Sequence, residues 1–236
     1  MAKTKVKALV IESKDSKEKD KLVTLFSLEE GKLFVYFKGV RGERAKLKAA
    51  KELFTFGEFV VEEGKTGNIV TEVSIIDTFS PLREDLDKYY EACSILDIVK
   101  KLLKEADPAL FIQTLKALKS ISYENAPKYY SLVKFLISVF EDAGYNLNFE
   151  NCASCKAKLT GKKYLNLEYG EFVCAGCRQL TSVEVTPATT SALKILKQTD
   201  YDKLRTIKIG GQGVERALNL LTENFEWRFG CRFFVA

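Results

Sequence analysis

The stretch Cys152-Ala153-Ser154-Cys155, followed by Cys174-Ala175-Gly176-Cys177, decides how this chain is organised. Two C-x-x-C pairs separated by a loop of roughly 15–20 residues have the spacing of a zinc site. Each pair directs two sulfurs toward one point, and two pairs complete a tetrahedron around a soft divalent ion. Because four thiolates leave no coordination position open, we expect one structural zinc ion, bound by Cys152, Cys155, Cys174 and Cys177.

An iron site and a thiol–disulfide pair are the alternatives for these cysteines. Lys156 and Arg178 follow the two pairs, where iron sites of this kind usually have glycine. A redox pair is expected in a βαβ setting, which the surrounding sequence lacks. Between the pairs, residues 163–168 and 170–173 predict two short strands around a turn. Zinc in a small ribbon is therefore the favoured interpretation.

The N-terminal part of the chain has the pattern of β-strands. Residues 1–80 contain apolar runs with a period of two, such as Leu33–Phe37, and glycines punctuate them. About five short strands without a long helix between them predict a small antiparallel barrel. A five-stranded barrel of this size suits the oligonucleotide-binding (OB) fold, and an SH3-like barrel is the alternative.

The hydrophobic period changes after Pro81 to about 3.6 residues. The clearest helix has apolar residues at i, i+3, i+4, i+7 and i+8, namely Leu132, Phe135, Leu136, Val139 and Phe140. Further helices are predicted from Pro187 and over 214–225. The expected fold is α+β and multidomain: an OB-like barrel (1–80), a first helical part (81–147), a zinc ribbon (148–180) and a C-terminal helical part (181–236).

The composition narrows the classes of function. Hydrophobic residues make up 46% of the 236, as in a globular protein with a core, and the formal charge is +5. Histidine is absent, which removes the commonest general base and the Ser-His and Cys-His nucleophile pairs. We therefore expect no enzyme and no small-molecule substrate. No apolar signal-peptide core or membrane-length apolar run is seen, so we expect a cytoplasmic protein without a membrane partner.

One segment of the barrel region concentrates positive charge. Six cations lie within fourteen residues, opposed only by Glu43, and residues 52–80 then carry six acids against one base. A cationic loop beside a barrel with exposed aromatic residues is suited to a phosphate backbone and stacked bases. A solvated surface loop is the alternative interpretation. The predicted nucleic-acid contacts are Lys38, Arg41, Arg44, Lys46, Lys48 and Lys51.

The order of these parts resembles the RecO family of bacterial recombination mediator proteins. Three stretches carry the resemblance: Glu18–Val23 with Gly31, then Tyr36–Arg41, and the helix from Lys134 to Tyr145 that leads into Cys152. The likeness spans nearly the full length of the chain.

This resemblance implies a DNA repair protein that binds single- and double-stranded DNA and anneals complementary strands. It also implies partnership with RecR and with the tail of single-strand-binding protein, in helping RecA to load at gaps, and a location on the bacterial nucleoid. The competing class is a non-enzymatic adaptor that has a structural zinc site and no direct contact with nucleic acid. Salt-dependent binding to an oligonucleotide separates the two.

Overall fold

The structure is a computed structural model that describes residues 3–16, 20–38, 49–64, 67–145 and 147–235. It divides into two compact units. The first contains Met1–Glu84 and Ile98–Thr114, and the second contains Asp85–Asp97 and Leu115–Ala236. No helix within the described ranges is long and apolar enough to cross a membrane.

The first unit is built on a closed β-barrel. Its strands follow one another around the ring in the order β1-β2-β3-β5-β4, and β4 returns to pair with β1. The β3–β5 pair is parallel and the other pairs are antiparallel. The predicted five-stranded, OB-like barrel is therefore confirmed. The strands are β1 (Lys3–Ser16), β2 (Asp20–Ser27), β3 (Gly31–Phe37), β4 (Phe56–Gly64) and β5 (Gly67–Asp77).

Alternation along the strands fills the barrel. In β3, Val35 and Phe37 are buried in the core, whereas Phe34 between Leu33 and Val35 faces outward and is exposed. Successive side chains of a strand point to opposite faces, so a run of five apolar residues supplies both a core side and a surface side. The other strands contribute core residues in the same way, including Val6, Val10, Val23, Leu25, Phe59 and Val70.

Helical residues also belong to the first unit. Helices α1 (Leu86–Leu102) and α2 (Pro108–Ser122) each contribute to both units, because residues 98–114 group with the barrel. Phe26 lies outside the barrel core and is buried. Its ring meets the ring of Phe111 edge-on, with centroids 5.0 Å apart. Asp107 caps the start of α2, since the Leu110 N–H donates to Asp107 Oδ1 at 2.9 Å. The four-part domain division stays a prediction.

The second unit is helical apart from one small sheet. Helix α3 (Tyr130–Asp142) packs against α4 (Pro187–Gln198) and α5 (Gly211–Phe229). The face of α3 that the 3.6-residue period predicts is buried, and this prediction is confirmed. The sheet has the order β7-β6-β8, formed by β6 (Lys163–Asn166), β7 (Glu171–Cys174) and β8 (Ser182–Val185). The sequence predicts β6 and β7, which flank a turn between the two cysteine pairs, whereas β8 follows the second pair and joins the sheet by pairing with β6.

Candidate metal centre and nucleic-acid interface

The four predicted metal ligands come together in the second unit. The sulfur atoms of Cys152, Cys155, Cys174 and Cys177 all lie within 4.8 Å of one another. The Cys155 and Cys174 sulfurs are 3.8 Å apart. Four thiolates at a zinc–sulfur distance of about 2.3 Å occupy tetrahedral corners about 3.8 Å apart. The cluster therefore has the donor set and the spacing to hold a metal ion.

Two backbone turns place these sulfurs. The first turn closes with the Lys156 N–H donating to the Cys152 carbonyl at 2.9 Å, and Lys156 takes a left-handed φ of 62°. This turn is joined to β7 because the Ala153 N–H donates to the Phe172 carbonyl at 2.9 Å. Cys174 ends β7, and a single 3₁₀ turn then brings Cys177 around. The β6–β7 hairpin thus holds the second pair beside the first.

Hydrogen bonds to sulfur prepare Cys152 to be a thiolate. Burial acts to raise the pKa of this thiol, but backbone N–H groups of Cys155, Cys174 and Ser154 bring it down to about 6. The Cys174 N–H lies 3.4 Å from the Cys152 sulfur. Hydrogen bonds to the charged form favour that form. The backbone therefore favours Cys152 as a thiolate, which is the form that binds a metal ion.

Cys177 shows the opposite tendency. The Ser154 hydroxyl acts to lower its pKa, yet the neighbouring thiols of Cys174 and Cys155 raise it to about 11. Hydrogen bonds that the neutral thiol makes with neighbouring sulfurs favour its protonated form. Four thiolates this close together would repel one another, and a metal ion among them would offset that repulsion.

The cluster is anchored on one side and open on the other. Cys152 is buried, whereas Cys155 is exposed. Next to the first turn, the rings of Phe149 and Phe172 are in contact, with centroids 5.0 Å apart and planes tilted by 59°. A metal held here would join the two turns above this apolar base. The remaining cysteines, Cys93 and Cys231, lie outside the cluster.

Two of the six predicted nucleic-acid contacts lie in the described part of the barrel unit. Lys38 follows β3 directly and is exposed, and Lys51 is half-buried. Within the described residues, neither forms an ion pair. The other four predicted contacts, Arg41, Arg44, Lys46 and Lys48, lie outside the residues that the structure describes.

Two lysines of β1, by contrast, are neutralised by glutamates of β4. Lys3 lies 2.7 Å from Glu62, and Lys5 lies 2.7 Å from Glu58. The hydrogen bond that Lys3 donates to Glu62 raises the pKa of Lys3, and the hydrogen bond that Lys5 donates to Glu58 lowers the pKa of Glu58. These cations already have carboxylate partners. This side of the barrel is therefore a weaker attractor for phosphate than the end of β3.

The outer face of β3 carries aromatic side chains next to cations. Alternate residues along this strand and just beyond it are Lys32, Phe34, Tyr36 and Lys38, and Phe34 is 55% exposed. Sequence reasoning expected exposed aromatics on the barrel without saying which ones. The period of two in residues 33–37 was the available signal, but it leaves open which of the two faces points outward.

Comparison with known proteins covers both units. The family model described as Recombination protein O N terminal matches residues 1–79, and the one described as Recombination protein O C terminal matches residues 83–233. The chain is 31% identical over 222 residues to the DNA repair protein RecO of Clostridium kluyveri, covering 92% of this chain and 86% of that protein. It is 28% identical over 219 residues to the protein of that name from Clostridium novyi, with the same coverages of 92% and 86%. The protein of that name from Thermoanaerobacter sp. is 26% identical over 239 residues, 98% of this chain and 96% of its own length.

Proposed function

The chain belongs to the RecO family of DNA repair proteins, and on that premise we propose that it is a recombination mediator that binds DNA and anneals complementary strands. It binds single- and double-stranded DNA and works with RecR and with the tail of single-strand-binding protein. Together they help RecA load on coated DNA in the bacterial cytoplasm, at the nucleoid. Its action is binding and pairing, without a chemical step.

The observation that carries this proposal is the position of Lys38. This lysine is exposed at the end of β3 of an OB-like barrel. It opens the cation-rich stretch that continues in sequence through Arg41, Arg44, Lys46 and Lys48 to Lys51. The strand 2–3 face of an OB barrel is where this fold commonly binds oligonucleotides. Charge and fold therefore favour the same part of the barrel.

The proposed mechanism of annealing is electrostatic. Two complementary strands repel each other through their phosphates, and a condensed layer of counterions surrounds each strand. Lysine and arginine side chains displace these counterions and neutralise phosphates without regard to base sequence. A surface that neutralises both strands lowers their repulsion, so that base pairing begins. The effect must weaken as salt rises, because counterion release then contributes less.

Zinc is the metal that we propose for the cysteine cluster, and its role is structural. Cys152, Cys155, Cys174 and Cys177 would hold it with no open position for substrate or water. The bound ion would cross-link the two turns that carry the cysteine pairs. The strands of the ribbon have only four residues each, so metal binding contributes to its folding free energy.

The test is an annealing assay. Complementary strands are pre-coated with their single-strand-binding protein, and pairing is followed with and without this chain, in the presence and absence of RecR. We expect acceleration that fades as salt is raised. Absence of acceleration in both arms, with the protein folded, would contradict the mediator proposal and favour the adaptor interpretation. Acceleration only with RecR would place RecR in the active complex.

A further inference from the structure

The outer face of β3 combines two aromatic side chains with a cation at each end. Lys32, Phe34, Tyr36 and Lys38 are alternate residues, so they lie on one face of the strand. Alternate residues of a strand are roughly 6.6 Å apart, which follows from a rise of about 3.3 Å per residue. Two rings at this spacing form a platform wide enough for two successive bases.

Both rings of the platform are accessible. The side chain of Phe34 is 55% exposed. Tyr36 is half-buried, and one edge of its ring lies against Gly67. A β-carbon at position 67 would be 3.1 Å from Tyr36 Cε2. Because Gly67 has no side chain, the ring of Tyr36 lies close to the backbone of β5.

Strand β2 places no charged residue directly opposite either ring. In the β2–β3 register, Thr24 faces Phe34 and Leu22 faces Tyr36. The cation at one end, Lys32, is held in place because its ammonium group donates to the Lys100 carbonyl at 2.8 Å. The cation at the other end, Lys38, is exposed. A strand of nucleic acid laid along β3 would therefore meet a cation, two rings and a second cation.

We propose that Phe34 and Tyr36 stack two successive unpaired bases, so that this face of the barrel selects single-stranded over double-stranded DNA. This inference rests on the proposed DNA-binding function and names the form of DNA that its barrel surface prefers. Every base has a π-face, so stacking of this kind tolerates any sequence. In a duplex the bases already stack on one another, and only phosphates and groove edges remain available. The cations bind both forms, and the rings distinguish them.

The experiment compares three DNAs with the full chain. They are an oligothymidylate, a strand of the same length without bases, and a duplex of the same length. The tested variant is Phe34→Ala/Tyr36→Ala. The matched control is Ile76→Ala, because Ile76 lies near the far end of β5 and is 54% exposed. Binding is measured by fluorescence anisotropy, and circular dichroism verifies folding.

Stacking predicts a specific pattern of affinities. Wild type and the Ile76 variant should bind oligothymidylate more tightly than the strand without bases, and the double variant should lose that preference. We expect its affinity for oligothymidylate to fall by roughly 30-fold or more, because the stacking of two bases is lost. Its affinity for the strand without bases and for the duplex should change little. Equal binding of both single strands by wild type would overturn the inference, and absence of binding to all three DNAs would overturn the proposed function itself.

A second variant reports on the ring contact directly. The chain contains one tryptophan, Trp227. In a Trp227→Phe background, Phe34→Trp places the only indole on the platform. Stacked bases should quench its fluorescence, whereas the strand without bases should bind with the fluorescence unchanged. Equal quenching by the two strands would contradict stacking even if the alanine variants were poorly folded.

Discussion

Gly31 and Glu105 meet backbone to backbone: a β-carbon at position 31 would lie 2.3 Å from the Glu105 carbonyl carbon. Gly31 also has a left-handed φ of 71° as it begins β3. Only glycine meets both conditions, because any other residue would bring a β-carbon into the chain opposite. This approach lies within the first unit, and it joins the connection between α1 and α2 to the barrel.

Substitution of Gly31 by alanine should therefore strongly destabilise the barrel unit. The left-handed backbone alone costs about 1–2 kcal/mol for a residue with a β-carbon. The clash with Glu105 adds to this, because both sides of the contact are backbone. Gly230→Ala is the matched control, since Gly230 has a φ of 65° and no atom within 4 Å of the added carbon. In urea unfolding followed by circular dichroism, Gly31→Ala should lose clearly more free energy of unfolding than Gly230→Ala, and equal losses would show that the contact with Glu105 relaxes freely.

Replacing one cysteine of the cluster should release the metal. Cys174→Ser removes a ligand whose sulfur lies 3.8 Å from that of Cys155 and whose N–H donates to the sulfur of Cys152. We expect purified wild type to contain about one zinc ion per chain and the variant almost none, with a lower thermal unfolding temperature. Cys231→Ser, outside the cluster, should keep its zinc. Metal content by elemental analysis decides this, and wild type that is free of metal, with a melting temperature that zinc does not change, would contradict a structural zinc site.

Glu91 should make stability depend on pH. Its buried side chain accepts the backbone N–H groups of Tyr129 at 3.0 Å and Leu132 at 3.2 Å, at the start of α3. Burial raises the pKa of Glu91 from 4.5 to about 7, although these hydrogen bonds oppose the shift. Because the folded state holds the proton more tightly than the unfolded state, the contribution is complete below pH 4.5 and is lost as pH rises through 7.

The matching variant is Glu91→Gln, which keeps the shape of the side chain and cannot ionise. The free energy of unfolding of wild type, measured relative to this variant, should fall by about 3 kcal/mol between pH 4.5 and pH 8. Chemical denaturation across this range measures the difference. A constant difference between the two proteins would show that Glu91 ionises in the folded state as it does in the unfolded one.

The proposed DNA contacts should set the salt dependence of binding. Neutralising Arg41, Arg44 and Lys46 together with glutamine should weaken binding to all sequences alike. It should also reduce the slope of log affinity against log salt by about 2 for single strands, if each cation neutralises one phosphate. Fluorescence anisotropy from low to high salt gives both quantities.

The control for that experiment is a second set of three cations on the same barrel. Lys3, Lys5 and Lys14 each lie within 3.0 Å of a glutamate, at Glu62, Glu58 and Glu12. Their replacement by glutamine should leave the salt slope nearly unchanged, because their charges are already balanced. If the control reduces the slope as much as the first variant does, the DNA site lies over β1 and β4 instead.

Local pattern was enough to predict most of the architecture. The spacing of Cys152, Cys155, Cys174 and Cys177 predicted their convergence, because two short turns separated by a hairpin have few ways to close. The period of 3.6 residues predicted the buried face of α3, since a helix must bury its apolar side. The strand-rich first eighty residues predicted a barrel, and the structure confirms it.

Other features depend on contacts between distant parts of the chain. The grouping of residues 98–114 with the barrel follows from Phe111 meeting Phe26 and from the fit of Glu105 against Gly31. Glu91 looks in sequence like any surface acid of a helix, and only the arrival of α3 explains its burial. These contacts cannot be predicted from hydrophobic periodicity, because each one pairs single residues that are far apart along the chain.

The sequence by itself determined the parts of this protein, namely an OB-like barrel, helices and a four-cysteine ribbon, together with the cationic stretch that begins at Lys38. The tertiary structure decided that Val35 and Phe37 face the core while Phe34 and Tyr36 face outward. The reason is that a period of two defines two faces of a strand but not which one is inside. That choice is made by the register with β2 and by closure of the barrel.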